Sequence, residues 1–399
     1  MGHSALMDVS SMDALVDAWR SIERRSTPRS RQSSGVDGQR IVDFNQNFSA
    51  YCRELSHGIR SPDGYLFSPL RPHFILKTSG KTRVICVPTV RDRVVQRAVL
   101  EFLSKDDRCG LKNNVSFGFI PGRSVEKAVR AACRLRASHR WAYKTDITSF
   151  FDAIPREAIA EAVQRYVRER SLHSLLLGAA ACEIEAETRK QSQKIRAAGI
   201  RSGRGVRQGM PLSPFFANLV LRRFDQTIES AGVHMVRYAD DLICLADSED
   251  ECAEIHRVVS EALAKEGLTV PEPGTGKTVV YPPETPAEFL GLSLHPQSGG
   301  YVLEVTREQT ATIRQRVVDL ANVEQFSHAG FRLGDFFRRL DGALAGYGGA
   351  YAFASNASHV DKVLGAARRE AVERLFEREL GIDITSLTPA KRKFIGLDD

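Results

Sequence analysis

Two acidic residues stand side by side in the segment Tyr238-Ala-Asp-Asp241. The apolar runs on either side, residues 236–238 and 242–245, predict the two strands of a hairpin with the acids at its turn. Adjacent carboxylates at a tight turn repel each other and lose solvation, and a divalent cation removes that penalty. Taken alone, the motif is also compatible with an acidic hairpin turn that binds nothing.

A third acid, Asp146, ends another short apolar strand, residues 143–147. Transfer of a phosphoryl group to a 3′-hydroxyl uses two metal ions about 3.5–4 Å apart. Mg²⁺ prefers oxygen ligands and shares the phosphates of its substrate. One carboxylate from one strand and two from a neighbouring hairpin therefore predict a site of this kind. Asp152, further past the strand end, is expected to cap a helix that begins at Pro155.

The remaining pattern predicts the elements that position these acids. Helical spacing covers residues 12–24, 44–55, 92–103, 156–186, 214–228 and 252–265, and the chain is mostly helical and basic from residue 307 onward. Strands are expected at 74–77, 82–88, 288–294 and 301–305, and residues 24–40 form a basic Arg/Ser-rich linker. Acids at strand ends within mixed elements favour an α+β catalytic unit followed by a helical unit.

Composition narrows the class of protein. The 399 residues carry a net charge of +7, which favours a polyanionic partner. The seven cysteines are scattered without a Cys-x-x-Cys pair, so we expect neither a zinc site nor a disulfide framework, and a reducing cytoplasm fits best. No stretch is apolar enough for a membrane span or a signal core, so a membrane partner is not expected.

A series of blocks in a fixed order resembles the reverse transcriptases, and within them the bacterial group II intron-like lineage. In chain order the blocks are Ser34–Gly38, Lys77–Pro88, Ser116–Ser124, Tyr143–Asp152 (motif A), Arg204–Asn218 (motif B), Tyr238–Asp241 (motif C), Gly267–Thr278 (motif D) and Phe289–Gly291 (motif E). Each block alone is a weak signal, and their order makes it strong.

The resemblance implies an α+β right-hand polymerase fold with fingers, palm and thumb. It places an N-terminal extension with a basic linker at 1–60, and fingers and palm at 61–300, with the palm mainly at 141–155 and 206–300. Residues 301–399 would form a helical thumb.

The resemblance also implies roles in catalysis. Asp146, Asp240 and Asp241 would hold two Mg²⁺ ions, with Mn²⁺ as an alternative, and the backbone carbonyl of Ile147 would lie near a metal. Lys277 would protonate the leaving pyrophosphate. The segment around Lys277 lacks the full phosphate-loop pattern, so a P-loop is rejected.

Nucleotide contacts follow in the same way. Lys81 and Arg83, with Lys77 as a further candidate, would neutralise the triphosphate, although cations at such a hairpin are also compatible with solvated surface charge. Phe151 matches the aromatic steric gate that excludes a ribose 2′-hydroxyl, and the alternative is a core phenylalanine beside Phe150.

Two further blocks would contact substrates. Gln208 and Gly209 match the motif B contact to the incoming nucleotide, where glycine permits close backbone approach, and they also suit a turn that opens the next helix. Phe289, Leu290 and Gly291 match the primer grip, with an ordinary strand edge as the alternative.

The expected activity is that of an RNA-directed DNA polymerase with dNTPs, an RNA template and a DNA product as partners. Motif B reads Gln-Gly-Met-Pro-Leu-Ser-Pro, which disfavours the diversity-generating retroelement enzymes. The blocks typical of retrons and a Cys/His endonuclease cluster are not found in the sequence. With these features, the resemblance implies a stand-alone, defence-associated enzyme that works with a structured non-coding RNA. A homo- or hetero-oligomer is compatible with the sequence, which does not fix the oligomeric state.

Several alternatives stay open at this stage. They are a retron or group II intron-type enzyme, a template-independent or protein-primed polymerase of the abortive-infection branch, and a nucleic-acid-binding scaffold with an inactive polymerase fold. The intact acids and Lys277 argue against the scaffold.

Overall fold

The computed structural model describes residues 4–76, 80, 82–324, 332–395 and 397, with only the backbone for Pro28 and Arg29. The chain divides into two compact units. The first comprises Met1–Arg123, Thr145–Cys244 and Ala253–Val279, and the second comprises Ser124–Lys144, Leu245–Cys252 and Val280–Asp399.

Runs of helices are separated by short groups of strands along the chain. In chain order up to motif B they are α1 (Ala5–Val9), α2 (Met12–Arg25), α3 (Pro28–Arg31), α4 (Ile41–Gln46), α5 (Phe48–Arg60), β1 (Arg71–Leu76), β2 (Thr82–Val87), α6 (Val90–Ser104), α7 (Val125–Ser138), β3 (Trp141–Asp146), α8 (Phe150–Ala153), α9 (Arg156–Tyr166), α10 (His173–Ala180) and α11 (Arg189–Ala197). Short 3₁₀ turns cover Lys105–Asp107 and Arg170–Leu172.

The elements from motif B onward begin with a long buried helix. They are α12 (Ser213–Ser230), β4 (His234–Tyr238), β5 (Asp241–Ala246), α13 (Glu249–Ala264), β6 (Val279–Tyr281), β7 (Ala287–Phe289), β8 (Leu292–Gln297), β9 (Gly300–Val305), α14 (Arg307–Val318), α15 (Leu333–Tyr351), α16 (Ala357–Glu373), a π-helical turn at Arg374–Glu379 and α17 (Pro389–Phe394).

The predicted acids lie on a four-stranded sheet with the strand order β4-β5-β3-β6. Strand β5 is buried from Leu242 to its end. Because both of its faces are buried, its sequence is a continuous apolar run without polar alternation. Helix α12 is also largely buried, with Phe216, Leu219 and Phe224 in the core. Both elements therefore gain stability from burial of apolar side chains, which fixes the ends of the strands that carry the acids.

The N-terminal helices of the first unit share one apolar core. The hydroxyl of Ser11 accepts a hydrogen bond from the backbone N–H of Ala14 and caps α2. Helix α2 packs against α5 and α6, and its Trp19 is 1% exposed and lies 4.7 Å from the ring of Phe44. The antiparallel strand pair β1–β2 lies between α5 and α6 in the chain.

The second unit combines the antiparallel sheet β7-β8-β9 with helices α14, α15 and α16. Ile313, Val317, Phe336 and Leu340 belong to its helical core. The fully buried Arg136 of α7 donates hydrogen bonds to backbone carbonyls of this unit, which satisfies a charged group that would otherwise be costly to bury. Its acceptors are the carbonyls of Arg140, Leu294, Pro282 and Thr285.

The single helix predicted over residues 156–186 is wrong. The chain forms α9, a 3₁₀ turn and α10, and then leaves the helical conformation. Leu70 pairs with this last stretch: its N–H donates to Glu183 O at 2.8 Å and its carbonyl accepts from Glu185 N at 2.9 Å. This pairing holds residues 183–185 extended, so a tertiary contact overrides the helical propensity of an Ala/Glu/Arg-rich sequence.

The strand predicted over 288–294 is also interrupted. Leu290 and Gly291 both have positive φ, 54° and 77°, and form the turn between β7 and β8.

None of the helices in the described part of the chain combines the length and the apolar character of a membrane span.

Candidate active site

The turn between β4 and β5 carries the motif C acids. Ala239 has a φ of 57°, in the left-handed region that residues with a Cβ rarely adopt. Asp240 follows in this turn and Asp241 begins β5, and both side chains are half-buried. The hairpin thus presents two adjacent carboxylates at one end of the sheet, as the sequence predicted.

Asp146 ends β3, which lies beside β5 in the sheet. The backbone N–H of Ile147 donates to the carbonyl of Asp240 at 3.0 Å and ties the two strand ends together. The side chain of Ile147 is itself buried. The structure therefore brings Asp146, Asp240 and Asp241 to the same end of two neighbouring strands.

The electrostatics of Asp240 reflect this crowding. Burial raises the pKa of Asp240 above its ordinary value, and the charges of Asp241 and Asp146 raise it further. A backbone hydrogen bond and the ammonium of Lys277 act in the opposite direction without cancelling the shift. An ionised Asp240 is thus costly here unless positive charge is supplied.

Lys277 supplies part of that charge. Its Nζ lies 3.0 Å from Asp146 Oδ2, and its side chain is 64% exposed. Burial alone would lower the pKa of Lys277, but the hydrogen bond to Asp146 and the charges of all three carboxylates raise it. One ammonium group therefore lies within electrostatic reach of all three carboxylates.

The segment that carries Lys277 is fastened to β3. The hydroxyls of Thr278 and Thr145 lie 2.7 Å apart, and both residues are fully buried. The hydroxyl of Thr278 also bonds Pro271 O at 2.9 Å, and Thr148 N donates to Thr269 O at 2.9 Å. Motif D is therefore held beside motif A by main-chain and hydroxyl contacts.

Asp146, Asp240 and Asp241 lie near one another but do not form a preorganised metal site. Within the described part of the chain, no group of three or more His, Cys, Asp or Glu side chains converges closely enough to hold a metal ion. Carboxylate oxygens are nonetheless the ligands that Mg²⁺ prefers. The mutual repulsion at Asp240 also matches a cation-binding set. On charge and ligand chemistry the residues that fit a divalent ion are Asp146, Asp240 and Asp241.

Phe151, Gln208 and Gly209 line one open cavity of about 470 Å³. Phe150 is buried at 3% exposure, whereas Phe151 is half-buried, so the two neighbouring rings differ in position. The N–H of Val206 donates to Phe151 O at 2.7 Å and links motif A to motif B. The structure brings together the predicted gate and the predicted motif B contact.

Position 209 has no room for a side chain. Its φ is 113°, and a Cβ at this position would lie 2.4 Å from the carbonyl oxygen of Cys86. The N–H of Cys86 donates to the carbonyl of Gln208 at 2.6 Å. Motif B is thus joined directly to β2, the strand that carries the exposed Arg83. Lys81 and Lys77, the other predicted triphosphate contacts, lie outside the described residues.

The predicted primer grip is a tight turn of the second unit. Phe289 ends β7 and is fully buried, and Leu290 and Gly291 form the turn that leads into β8. The N–H and hydroxyl of Thr306 both donate to Gly291 O at 3.2 Å. The segment is therefore a braced hairpin turn and not a plain strand edge, and its role as a grip stays a prediction.

The cap predicted for Asp152 is wrong. Helix α9 begins at Arg156 with Pro155 as its N-cap and no side-chain cap bond. Asp152 lies in the short helix α8, where burial raises the pKa of its carboxyl above the ordinary value and the charge of Arg207 offsets only part of that rise. A Cβ on Gly205 would lie 2.7 Å from Asp152 O, so close packing against motif B replaces the expected cap.

Sequence reasoning missed a buried polar set behind the acidic turn. Arg237 of β4 and Asp225 of α12 form an ion pair, with exposed fractions of 0% and 1%. Asn218, which is 3% exposed, completes the set. The available signal was a charged residue within an apolar strand, at Val236-Arg237-Tyr238, since arginine is rarely buried without a partner.

Comparisons with known proteins identify the family to which the chain is similar. The sequence profile described as reverse transcriptase (RNA-dependent DNA polymerase) matches residues 75–294, more than half of the chain. Protein YkfC of Escherichia coli (strain K12) is 31% identical over 204 residues, which cover 48% of this chain and 49% of YkfC. The retron Ec83 reverse transcriptase of Escherichia coli is 24% identical over 187 residues, 46% of this chain and 54% of the relative.

Two further matches cover different shares of the chain. The group II intron-encoded protein LtrA of Lactococcus lactis subsp. cremoris is 27% identical over 168 residues, 41% of this chain and 26% of LtrA. A solved telomerase structure from Candida albicans, in complex with the TWJ fragment of telomeric RNA, has a TM-score of 0.39 at 12% identity and covers 88% of this chain and 69% of that one.

The chain spans 26% to 54% of the length of these three curated relatives. The family match covers the segment from β1 to β8 and includes motifs A to E. It confirms the α+β, right-hand polymerase fold expected from the sequence. The chain belongs to the reverse transcriptase family.

Proposed function

We propose that this chain is an RNA-directed DNA polymerase that adds dNTPs to a 3′-hydroxyl. The observation that carries the proposal is the placement of Asp146, Asp240 and Asp241 at the same end of two adjacent strands, with Lys277 Nζ 3.0 Å from Asp146 Oδ2. Family membership supports the reaction class, and the placement of the acids supports the site.

In this proposal Asp146, Asp240 and Asp241 hold two Mg²⁺ ions, with Mn²⁺ as an alternative and the carbonyl of Ile147 nearby. Bound metal ions of this kind activate the attacking hydroxyl and neutralise charge on the leaving phosphates. The raised pKa of Asp240 supports the assignment, because a carboxylate among like charges gains the most from a bound cation.

Lys277 is proposed to donate a proton to the leaving pyrophosphate. Its raised pKa keeps the ammonium protonated at neutral pH, which suits a proton donor. Its exposure leaves Nζ accessible to a substrate, and its contact with Asp146 places it beside the acids.

The cavity lined by Phe151, Gln208 and Gly209 is proposed to take the incoming dNTP. Phe151 would exclude a ribose 2′-hydroxyl, and Arg83 of β2, together with Lys81, would neutralise the triphosphate. The direct link from Gln208 to Cys86 supports this assignment, because it joins the strand of Arg83 to motif B. Phe289, Leu290 and Gly291 are proposed as the primer grip.

The finer biological assignment rests on the sequence. We propose a structured non-coding RNA as template, a cytoplasmic site of action, a defence role against phage, and homo- or hetero-oligomers as working forms. Sequencing of the RNA and DNA that copurify with the protein tests the template, and phage challenge of cells that carry wild-type or Asp240→Ala protein tests the defence role.

A primer-extension assay tests the activity itself. Purified protein is given a DNA primer annealed to RNA, all four dNTPs and Mg²⁺, with parallel reactions that lack template or contain EDTA. The proposal predicts extension that follows the RNA sequence and stops in EDTA. Extension without template would favour the template-independent class, and no extension on any primer or metal would contradict the proposal.

A further inference from the structure

A buried ion pair that the proposed reaction does not use lies next to the turn between β4 and β5. The guanidinium of Arg237 binds the carboxylate of Asp225 in a bidentate manner, with Nε to Oδ1 at 2.7 Å and Nη2 to Oδ2 at 2.6 Å. Asn113 Nδ2 also donates to Asp225 Oδ2 at 3.0 Å. The two parallel bonds fix the plane of the guanidinium, which a lysine at this position would not reproduce.

The third nitrogen of this guanidinium reaches the turn itself. Nη1 of Arg237 donates to the carbonyl of Ala239 at 3.1 Å and to Asn218 Oδ1 at 3.1 Å. Ala239 is the residue with a φ of 57°, directly before Asp240. A non-glycine residue persists in this conformation only when its surroundings determine it, and the bond from Arg237 is one such determinant.

The backbone near Gly118 also contacts this turn. Asn218 Nδ2 donates to Gly118 O at 2.9 Å. A Cβ on Gly118 would lie 2.5 Å from the backbone nitrogen of Ala239, so the backbone of this segment packs directly on the turn. Arg237 is also paired by its main chain, with N–H to Val115 O at 2.8 Å and its carbonyl accepting from Phe117 N at 2.7 Å.

The stability of strand β4 does not require the buried pair of Arg237 and Asp225. A buried ion pair pays a desolvation cost that apolar residues of similar volume avoid. An apolar residue at 237 would pack in β4 but would leave the carbonyl of Ala239 without this donor. The pair carries no net charge, so we expect its effect on the acids to be mainly geometric.

We propose that Arg237, oriented by Asp225 and Asn218, is a positioning residue that fixes the Ala239 turn and thereby the directions of the Asp240 and Asp241 carboxylates. The proposal rests on the proposed function, since it assigns these carboxylates to the transfer step. Arg237 touches no reacting group and acts through the backbone of the turn.

Two variants test the proposal at different costs to folding. Arg237→Lys keeps the charge but loses the fork that reaches both Asp225 and Ala239. The double variant Arg237→Met with Asp225→Leu removes both charges together, so no buried charge is left alone, and we expect the fold to be preserved. Arg223→Lys is the matched control, because Arg223 also lies on α12. Its Nε pairs with Glu266 Oε1 at a distance of 2.7 Å, and neither residue belongs to the turn.

The measurements separate positioning from stability. Hydrogen–deuterium exchange is followed for peptides that cover residues 234–242 in the folded protein, and single-turnover extension gives the maximal rate and the apparent Kd for dNTP. We expect faster exchange in this segment and a rate reduced about 10- to 100-fold, as for a misplacement near 1 Å, with dNTP affinity little changed. The Arg223→Lys control should match wild type in both.

The proposal is overturned if both variants exchange and react like the control. It is also overturned if the rate loss merely equals the loss of folded protein measured by circular dichroism. Failure of the proposed function is a separate result: the wild type and the control would then not extend a primer, while the exchange data would still decide whether Arg237 holds the turn.

Discussion

The acidic turn of the first unit and the C-terminal helices of the second unit both carry many charges, but they hold them differently. At the turn, Asp240 is half-buried among like charges, which raises its pKa. On the C-terminal helices the cations face acids at the surface, as in Arg314 with Glu370 at 2.8 Å and Arg374 with Asp319 at 3.4 Å. A charged residue whose surroundings disfavour its charge is therefore a candidate functional residue. Exposed charges that pair with each other give little evidence about function.

The largest effect should come from removal of the acids. Asp240→Ala with Asp241→Ala should reduce DNA synthesis by about 10³-fold or more, because the proposed metal ligands are lost. The folded pKa of Asp240 is raised, so its ionised form destabilises the folded state at neutral pH, and that cost is relieved as the pH falls through the raised pKa. The variant should therefore melt at the same or a higher temperature by calorimetry.

Retained synthesis by the double variant would refute the assignment of these acids. A large loss of thermal stability would instead show that the carboxylates stabilise the fold. Either outcome would remove the contrast with the surface pairs of the C-terminal helices.

A smaller effect is expected at Lys277. Lys277→Gln should lower the single-turnover rate about 10²-fold at neutral pH, since general acid catalysis contributes on this scale. The raised pKa keeps Lys277 protonated through neutral pH, so the wild-type rate should decline only at alkaline pH, and the variant should lack that decline. Lys265→Gln, at an exposed position, is the control. Equal pH profiles for wild type and Lys277→Gln would show that Lys277 only pairs with Asp146.

The contrast between Phe150 and Phe151 predicts a change in specificity. Phe151→Val should raise the use of rNTPs relative to dNTPs about tenfold, because a smaller side chain admits the 2′-hydroxyl. Phe150→Val should instead lower stability, since Phe150 is buried at 3% exposure. Competition assays with matched rNTP and dNTP decide the point. An unchanged ratio in Phe151→Val would make Phe151 a packing residue.

The smallest effect is expected from the C-terminal helices, which we predict to form a thumb that grips the template–primer duplex. Arg338→Gln with Arg339→Gln should weaken binding to an RNA/DNA hybrid. The log–log salt dependence should become shallower by about 0.7–0.9 for each phosphate group that the protein no longer neutralises. Products should shorten while single-nucleotide addition is preserved. Arg257→Gln, which removes an exposed arginine paired with Glu254 and Glu261, is the control.

Arg338 already contacts Asp335 within α15, which is the alternative explanation for its position. If the salt slope and product length of the double arginine variant equal those of the control, these cations serve surface pairing or another partner. The thumb assignment would then be withdrawn, while the assignments at the acidic turn would stand.

Much of the site follows from the sequence because it is local. The hairpin expected at 236–238 and 242–245 forms as β4 and β5, and the strand that ends in Asp146 forms as β3. The features that the sequence does not predict depend on tertiary pairing. The extended stretch at residues 183–185 is set by Leu70, which no local pattern encodes. The partner of Arg237 is likewise fixed only once α12 packs beside β4.

The most direct test of the central claim is the binding of metal ions to the acids. Mn²⁺ bound per chain is counted by electron paramagnetic resonance, with a dideoxy-terminated primer on RNA and the next dNTP present. Wild type should bind about two ions, Asp146→Asn and Asp240→Asn should bind fewer, and Asp152→Asn, at a residue packed against motif B, should match wild type. Equal Mn²⁺ binding by wild type, Asp146→Asn and Asp240→Asn would contradict the account.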